Sequence, residues 1–222
     1  MRDFEDIENT GLIDTAYKGE SILKIRKSDL IKCEFLRCSL HDISESTFFG
    51  SKLADCDARN LRAKSNDLSY LEVEDTDLSL SFLHHSTASE SLFCKVNFQS
   101  TIFKYGEITT TKFLNCDFSK SVFNGITFKD VDFSDSFFEK SAFRDCTFLS
   151  CDFSKIIAMK NVYLANCDLV ECEMPDEDEF SIEITSFFLD EQNQSDEVIC
   201  YNIIPHSADA KSDFGITNTA EV

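Results

Sequence analysis

The sequence predicts an all-β solenoid, a stack of square coils in which the chain turns a corner every five residues. Three observations carry that prediction. Every fifth residue from Ile43 to Tyr163 is apolar, in a chain of 222 residues that is 42% hydrophobic overall. Two residues before most of these positions stands a small side chain, as at Ser51, Cys56, Ser81, Ser91, Thr101, Thr111, Cys116, Ser121, Ser136, Ser141, Cys146 and Cys151. And 22 Phe accompany only 6 Gly and 2 Pro, so the corners are not built by the residues that punctuate ordinary sandwiches and barrels.

A period of five fits neither common element. On an α-helix, steps of five advance by about 140° and scatter the apolar side chains around the axis. On a flat strand five is odd, so successive apolar residues alternate between faces. A chain that bends at every fifth residue keeps them all on one inner side. Four such bends close a square, and stacked squares pair their backbones at about 4.8 Å. Large residues at the face centres leave room only for small ones beside them, which accounts for the Ser, Thr and Cys.

Along the chain, Ile25, Leu30, Phe35 and Leu40 keep the five-step in another phase, so the register is expected to slip between His41 and Thr47. From Phe93 to Phe153 the centres are nearly all Phe, and Phe113, Phe118, Phe123, Phe128, Phe133, Phe138, Phe143 and Phe148 are expected to point inward. Ala158 and Tyr163 extend the same step, while Leu164, Leu169 and Met174 sit one residue out of phase. Such slips require a bulge or loop. The stretch Leu80 to Leu92 holds register but is poor in Phe, and a looser interior is expected there.

The segments Cys116-Asp117-Phe118-Ser119-Lys120, Cys151-Asp152-Phe153-Ser154-Lys155 and Cys167-Asp168-Leu169 resemble the pentapeptide-repeat family, with its small, Asp/Asn, Leu/Phe, polar, polar pattern. That resemblance implies a right-handed quadrilateral β-helix over residues 23–174. It leaves residues 1–22 as an N-terminal extension and 175–222 as an acidic C-terminal tail, partly disordered or packed on the rod.

The polar chemistry reads as structural. Eight of the ten cysteines (Cys33, Cys38, Cys56, Cys116, Cys146, Cys151, Cys167 and Cys172) fall in the small inner slot, where a thiol behaves as a small hydrophobe. No metal site or disulfide is expected of them. His84 and His85 fall in outward slots with no third ligand beside them. GxSxG, HExxH, P-loop and GxGxxG motifs are absent, so neither catalysis nor a cofactor is expected. The acidic N-terminus carries no apolar run, and a cytoplasmic protein is the expectation.

The net charge is −20, which disfavours general attraction to nucleic acid or anionic membrane. Residues 1–22 contribute −4, 23–174 contribute −5 and 175–222 contribute −11. Within the rod, Asp57, Asp77 and Asp117 are spaced to form an outward ladder with Asn97. Asp67, Glu72, Glu74, Asp75 and Asp77 are spaced to ring one coil, with no Lys or Arg between Ser65 and Cys94. A second column, Phe82, Ile102, Val122, Ala142 and Val162, is apolar in a slot expected to face outward, and such a stripe marks an interface. A homodimer, a partner or the tail's own Ile182, Ile184, Phe187, Phe188 and Leu189 could cover it. The Phe- and Cys-rich repeats resemble the quinolone-resistance and microcin-immunity type. The resemblance implies a binding protein that mimics DNA toward a type II topoisomerase, DNA gyrase or topoisomerase IV, with the acidic belt in place of phosphates. The competing expectation is an interaction scaffold, effector or anti-defence inhibitor that binds through the apolar stripe or the tail.

Overall fold

The computed structural model describes residues 4–174, and the backbone alone at 180–181 and 202–204. Every regular element among the described residues is a strand, and the strands pair in parallel through about eight turns of a four-sided β-helix. Each face is centred on one inward residue per turn. The first face runs Ile7, Ile25, Ile43, Ala63, Leu83, Phe103, Phe123, Phe143, Leu164. The second runs Leu12, Leu30, Phe48, Leu68, Ala88, Ile108, Phe128, Phe148, Leu169. The third runs Tyr17, Phe35, Leu53, Val73, Phe93, Phe113, Phe133, Phe153. The fourth runs Ile22, Leu40, Ala58, Leu78, Phe98, Phe118, Phe138, Met159.

The corners explain the scarcity of glycine. Every fifth residue from Asp55 to Ser150 has φ between 46° and 64°, and Gly125 is the only glycine among them. Left-handed backbone costs an ordinary L-residue about 1–2 kcal/mol. Stacking offsets that cost, because corner N–H groups donate to carbonyls of the next coil: Asp75 N to Cys94 O at 3.1 Å, Asn115 N to Ser134 O at 3.0 Å, Lys120 N to Glu139 O at 2.8 Å. Many turns are also capped from the side. A carboxylate or amide oxygen accepts the N–H two residues on, at Asp67 (Ser69 N, 3.0 Å), Asp77 (2.9 Å), Asn97 (3.0 Å), Asp117 (2.8 Å), Asp132 (2.9 Å) and Asp152 (2.8 Å). Side-chain caps of this kind are what make Asp and Asn turn residues.

Inside, the rings form four vertical ladders. Phe103, Phe123 and Phe143 stack at 4.6 and 4.5 Å, Phe128 and Phe148 at 4.8 Å, Phe98, Phe118 and Phe138 at 4.9 and 5.0 Å, all within 10° of parallel. Rings on neighbouring faces meet edge to face, as Phe133 does with Phe128 and Phe138. Between the rings, the small slots carry hydroxyls that tie coil to coil. Ser136 Oγ donates to Phe113 O at 3.0 Å and accepts from Cys116 N at 3.1 Å, and Ser81 Oγ does the same with Ala58 O and Leu61 N, both at 3.0 Å. No buried side-chain nitrogen or oxygen among the described residues lacks a partner, so the slot buries polar atoms without desolvation loss.

Four sequence expectations need correction. Residues 4–22 are no extension; they form the first coil, with Leu12 paired to Leu30 and Tyr17 to Phe35. The early coils are shorter because the first face follows the fourth after three residues, at Ile22–Ile25 and again at Leu40–Ile43, which leaves an 18-residue register such as Ile25 to Ile43. The slip read near His41 is thus a truncated corner repeated in successive coils. Downstream, one residue is inserted between Phe153 and Met159: Asp132 pairs with Asp152, but Phe137 pairs with Ala158. Met159 and Leu164 therefore take the inner positions assigned to Ala158 and Tyr163, and Ile157 is turned outward. The same insertion buries Val162 completely, in the small slot of the next pentad. Beyond Met174 most of the tail lies outside the described residues; its backbone pairs onto the last turn at Phe180–Ser181 with Met159–Lys160 and at Asn202–Ile204 with Asp168–Val170. Beside the Phe-poor stretch lies a partly open cavity of about 30 Å³, lined by Leu83 and Ala88 from it and by Leu68, Phe103, Ile108 and Ile126 from neighbouring coils.

The described cysteines are all free, and only Cys94 and Cys172 are not fully buried. Three thiol pairs sit one above the other: Cys38 with Cys56, Cys146 with Cys167, Cys151 with Cys172. Cys56, Cys146 and Cys151 are held well above the ordinary thiol range by the hydrogen bond with the paired thiol and by burial. Burial, with smaller contributions from Cys94 and Asp117, pushes Cys116 up to about 12. The same hydrogen bonds lower the pKa of the partners Cys38, Cys167 and Cys172. Since thiolate is the reactive form, slow labelling in the native state is expected of Cys56, Cys116, Cys146 and Cys151.

Two outcomes are expected. Phe133→Ala removes a fully buried ring stacked between Phe113 at 5.5 Å and Phe153 at 5.0 Å. It should lower the urea unfolding free energy by about 3–5 kcal/mol, the cost of a large aromatic cavity; an effect within the range of a surface change would contradict the ladder. For Cys116, an unfolded thiol ionises near about pH 8.5. Its native pKa is raised, so its contribution is complete below that pH and is lost as pH climbs toward about 12. The stability difference between wild type and Cys116→Ala, read by urea melts at stepped pH, should shift against wild type by up to about 1.4 kcal/mol per unit in that window. A pH-independent difference would show that Cys116 is accessible to base.

Candidate functional site

The structure brings the sequence-predicted acids together, but not as a bare belt. Asp57, Asp77, Asn97 and Asp117 stack on the fourth face. Asp67 lies on the second face, Glu72 and Glu74 flank Val73 on the third, and Asp75 occupies the next corner. Cations reach this ring from neighbouring coils. Arg59 holds Asp57 at 2.7 Å and approaches Asp77 at 3.8 Å, keeping the Asp57 carboxyl below the usual carboxylate range. Lys52 approaches Glu72 at 3.9 Å and Glu74 at 3.5 Å, and Lys95 approaches Asp75 at 3.8 Å. Asp67 and Asp117 serve as turn caps, Asp117 also accepting from Gln99. The gap in Lys and Arg between Ser65 and Cys94 is a property of the linear sequence that stacking fills.

The first face is different in kind. Phe82, Ile102, Val122, Ala142 and Tyr163 pair rung to rung along its leading edge, and the four larger ones are each about 40% exposed. Val162, placed in this column from its spacing alone, is 0% exposed; the inserted residue moves Tyr163 into its place. On the trailing edge of the same face Lys64, His84, Lys104, Asn124 and Arg144 stack in register. From Arg62 through Arg144 neither edge carries a carboxylate, in a chain of net charge −20. An apolar column thus runs beside a cationic one. Periodicity in the sequence marked the first column; the second recurs at the same twenty-residue step and was missed because His84 and Asn124 interrupt its permanent cations.

An aromatic and cationic cluster sits at the upper middle of this face. His84 contacts Phe82, His85 and Tyr105 with centroid distances of 5.6, 4.3 and 5.9 Å, and Lys104 Nζ lies 5.0 Å from the Tyr105 ring centre. Tyr105 is seated against Gly125, whose φ is +64° and where an added Cβ would stand 2.7 Å from the ring. Desolvation, His85, Lys104 and Lys64 together lower the pKa of His84. Among the described residues no group of three or more His, Cys, Asp or Glu is placed to hold a metal ion, and no helix is long and apolar enough to cross a membrane.

The two roles of acids in the belt separate experimentally. Asp77 caps Ser79 N, accepts from Asn97 Nδ2 at 3.1 Å and lies near Arg59, whereas Glu72 meets only a loose surface lysine in this ring. Asp77→Ala should cost about 1 kcal/mol by urea unfolding, and Glu72→Ala should stay within about 0.5 kcal/mol. Equal effects would remove the distinction.

Residues 111–148 match the Pentapeptide repeats family in eight copies. No curated protein sequence matches. Among solved structures, HetL, a pentapeptide repeat protein involved in heterocyst differentiation regulation from the cyanobacterium Nostoc sp. strain PCC 7120, is 16% identical, with 79% of this chain and 88% of HetL covered and a TM-score of 0.30. Full-length QnrB1, a plasmid-mediated fluoroquinolone resistance protein, is 17% identical over 80% of this chain and 91% of its own, with a TM-score of 0.34. A pentapeptide repeat protein of the Arabidopsis thaliana thylakoid lumen is 19% identical over 43% and 66%, with a TM-score of 0.28. Residues 111–148 belong to the pentapeptide-repeat family, and the same five-residue coil geometry continues through the described residues on either side of them.

Proposed function

We propose that the protein is a non-catalytic binding rod whose first face engages a protein partner through an apolar stripe flanked by cationic charge. The observation that carries this reading is the pair of columns on that face, Phe82 to Tyr163 beside Lys64 to Arg144, free of carboxylates on an otherwise acidic chain. Apolar side chains at the centre supply most of the binding energy of such surfaces, and flanking charge selects the partner. The partner that fits presents apolar side chains among acidic ones.

A second reading, mimicry of DNA toward a type II topoisomerase such as DNA gyrase or topoisomerase IV, draws on the resemblance of the repeats and on the vertical Asp57, Asp77, Asn97, Asp117 ladder. The cations Arg59, Lys52 and Lys95 offset part of the charge it needs. One experiment separates the two. Tagged full-length protein captures its partner from the native host, and capture is compared for Val122→Glu and for Glu72→Lys with Asp75→Lys and Asp77→Lys. Capture weakened at least about tenfold, or about 1.4 kcal/mol, by Val122→Glu alone supports the first face. Loss only in the triple variant, with gyrase as the captured protein, would replace this reading with DNA mimicry.

A further inference from the structure

We propose that the first face is occupied by residues 182–201 of the same chain, so that a partner binds by displacing the protein's own acidic segment. This rests on the first face being a docking surface.

The first argument is where that segment begins and ends. Phe180–Ser181 pairs with Met159–Lys160 on the fourth face, and Asn202–Ile204 pairs with Asp168–Val170 on the second. The first face lies between those two. In the turn below, the chain makes the same traverse with residues 161–167, so 182–201 is far longer than the path requires. In that lower turn the path passes Tyr163, the end of the apolar column. A chain doubled back on itself would reach about 33 Å with ten extended residues per arm. Four rungs from Tyr163 to Phe82 span only about 19 Å.

The second argument is complementarity. Residues 182–201 contain Glu183, Asp190, Glu191, Asp196 and Glu197 and no Lys or Arg. Their apolar groups, Ile182, Ile184 and Phe187 to Leu189, form the densest such cluster in the tail. Acids between apolar residues match a surface on which Lys104 and Arg144 stand beside Ile102, Val122 and Ala142. A second copy meeting face to face would instead oppose like charge, which is destabilising for directly facing pairs. A tethered segment also needs little intrinsic affinity, because a short flexible connection supplies an effective concentration in the millimolar range.

Photocrosslinking of the full chain tests this. Benzoylphenylalanine replaces Val122 on the first face or, as a control, Thr127 on the second. Irradiated protein of monomer mass is digested and its crosslinked peptides are sequenced. The expected result is a crosslink from position 122, and not from 127, to a peptide within 182–201. It should be lost with Lys104→Glu plus Arg144→Glu, and recovered when Asp190→Lys and Glu191→Lys are added. Absence of that crosslink, its appearance only at dimer mass, equal yield from position 127, or no recovery by the charge exchange would each overturn the proposal. If it fails while Val122→Glu still abolishes partner capture, self-occupation alone falls. If capture is also unaffected, the docking reading of the first face falls with it.

Discussion

The stacking of one coil on the next is the constraint on which everything else depends. A single square coil would hold its corner residues in left-handed backbone at a cost of about 1–2 kcal/mol each, with little to offset it. Stacked, corner N–H groups find carbonyls in the neighbouring coil, slot hydroxyls such as Ser136 and Ser81 bridge two coils, and Phe rings lie on the rings below. Stability is therefore shared between nearest neighbours along the rod, as in other solenoids. The Phe-rich turns between Phe93 and Phe153 make the most of it. The turn carrying Ala63 and the one carrying Ala88 make less, and the small cavity lies there.

The same constraint decides what the outside can be. Because the interior sets the register, an outward residue stands directly above its counterpart in the coil below. Columns, rather than clusters in sequence, are the units of surface chemistry. This gives the acidic ring its partners, since Lys52, Arg59 and Lys95 arrive from adjacent rungs, and it assembles the first face from residues widely separated in the chain. Among the described residues, outward side chains are ordered in columns along four faces. Of these faces, the first has the composition of a binding surface.

The five-residue period made the fold and the face-centre residues from Ile43 to Phe153 legible in the sequence, because those positions are chemically demanding. The slot beside them also takes Leu61, Leu71, Val96, Ile126 and Val131, which the expectation of small side chains did not include. Where the period breaks, reading failed for a physical reason. Residues 4–22 lack a run of Phe, and their three-residue corner at Ile22–Ile25 conceals the repeat. The residue inserted before Met159 leaves Ala158, Val162 and Tyr163 all apolar, so composition could not tell inner from outer there. Hydrogen bonding and pairing settle it. The cationic column on the first face was legible by the same twenty-residue step but overlooked, because His84 and Asn124 interrupt Lys64, Lys104 and Arg144.

The most direct test of this register asks which of two adjacent residues faces solvent. Single variants Val162→Cys and Tyr163→Cys are exposed to a maleimide in native buffer, and modification at each position is followed by peptide-resolved mass spectrometry. Cysteine at 163 should label quickly and cysteine at 162 only on unfolding, since the inserted residue turns Tyr163 out and Val162 in. The reverse order, with 162 reactive and 163 protected, would contradict the account and restore an unbroken twenty-residue repeat.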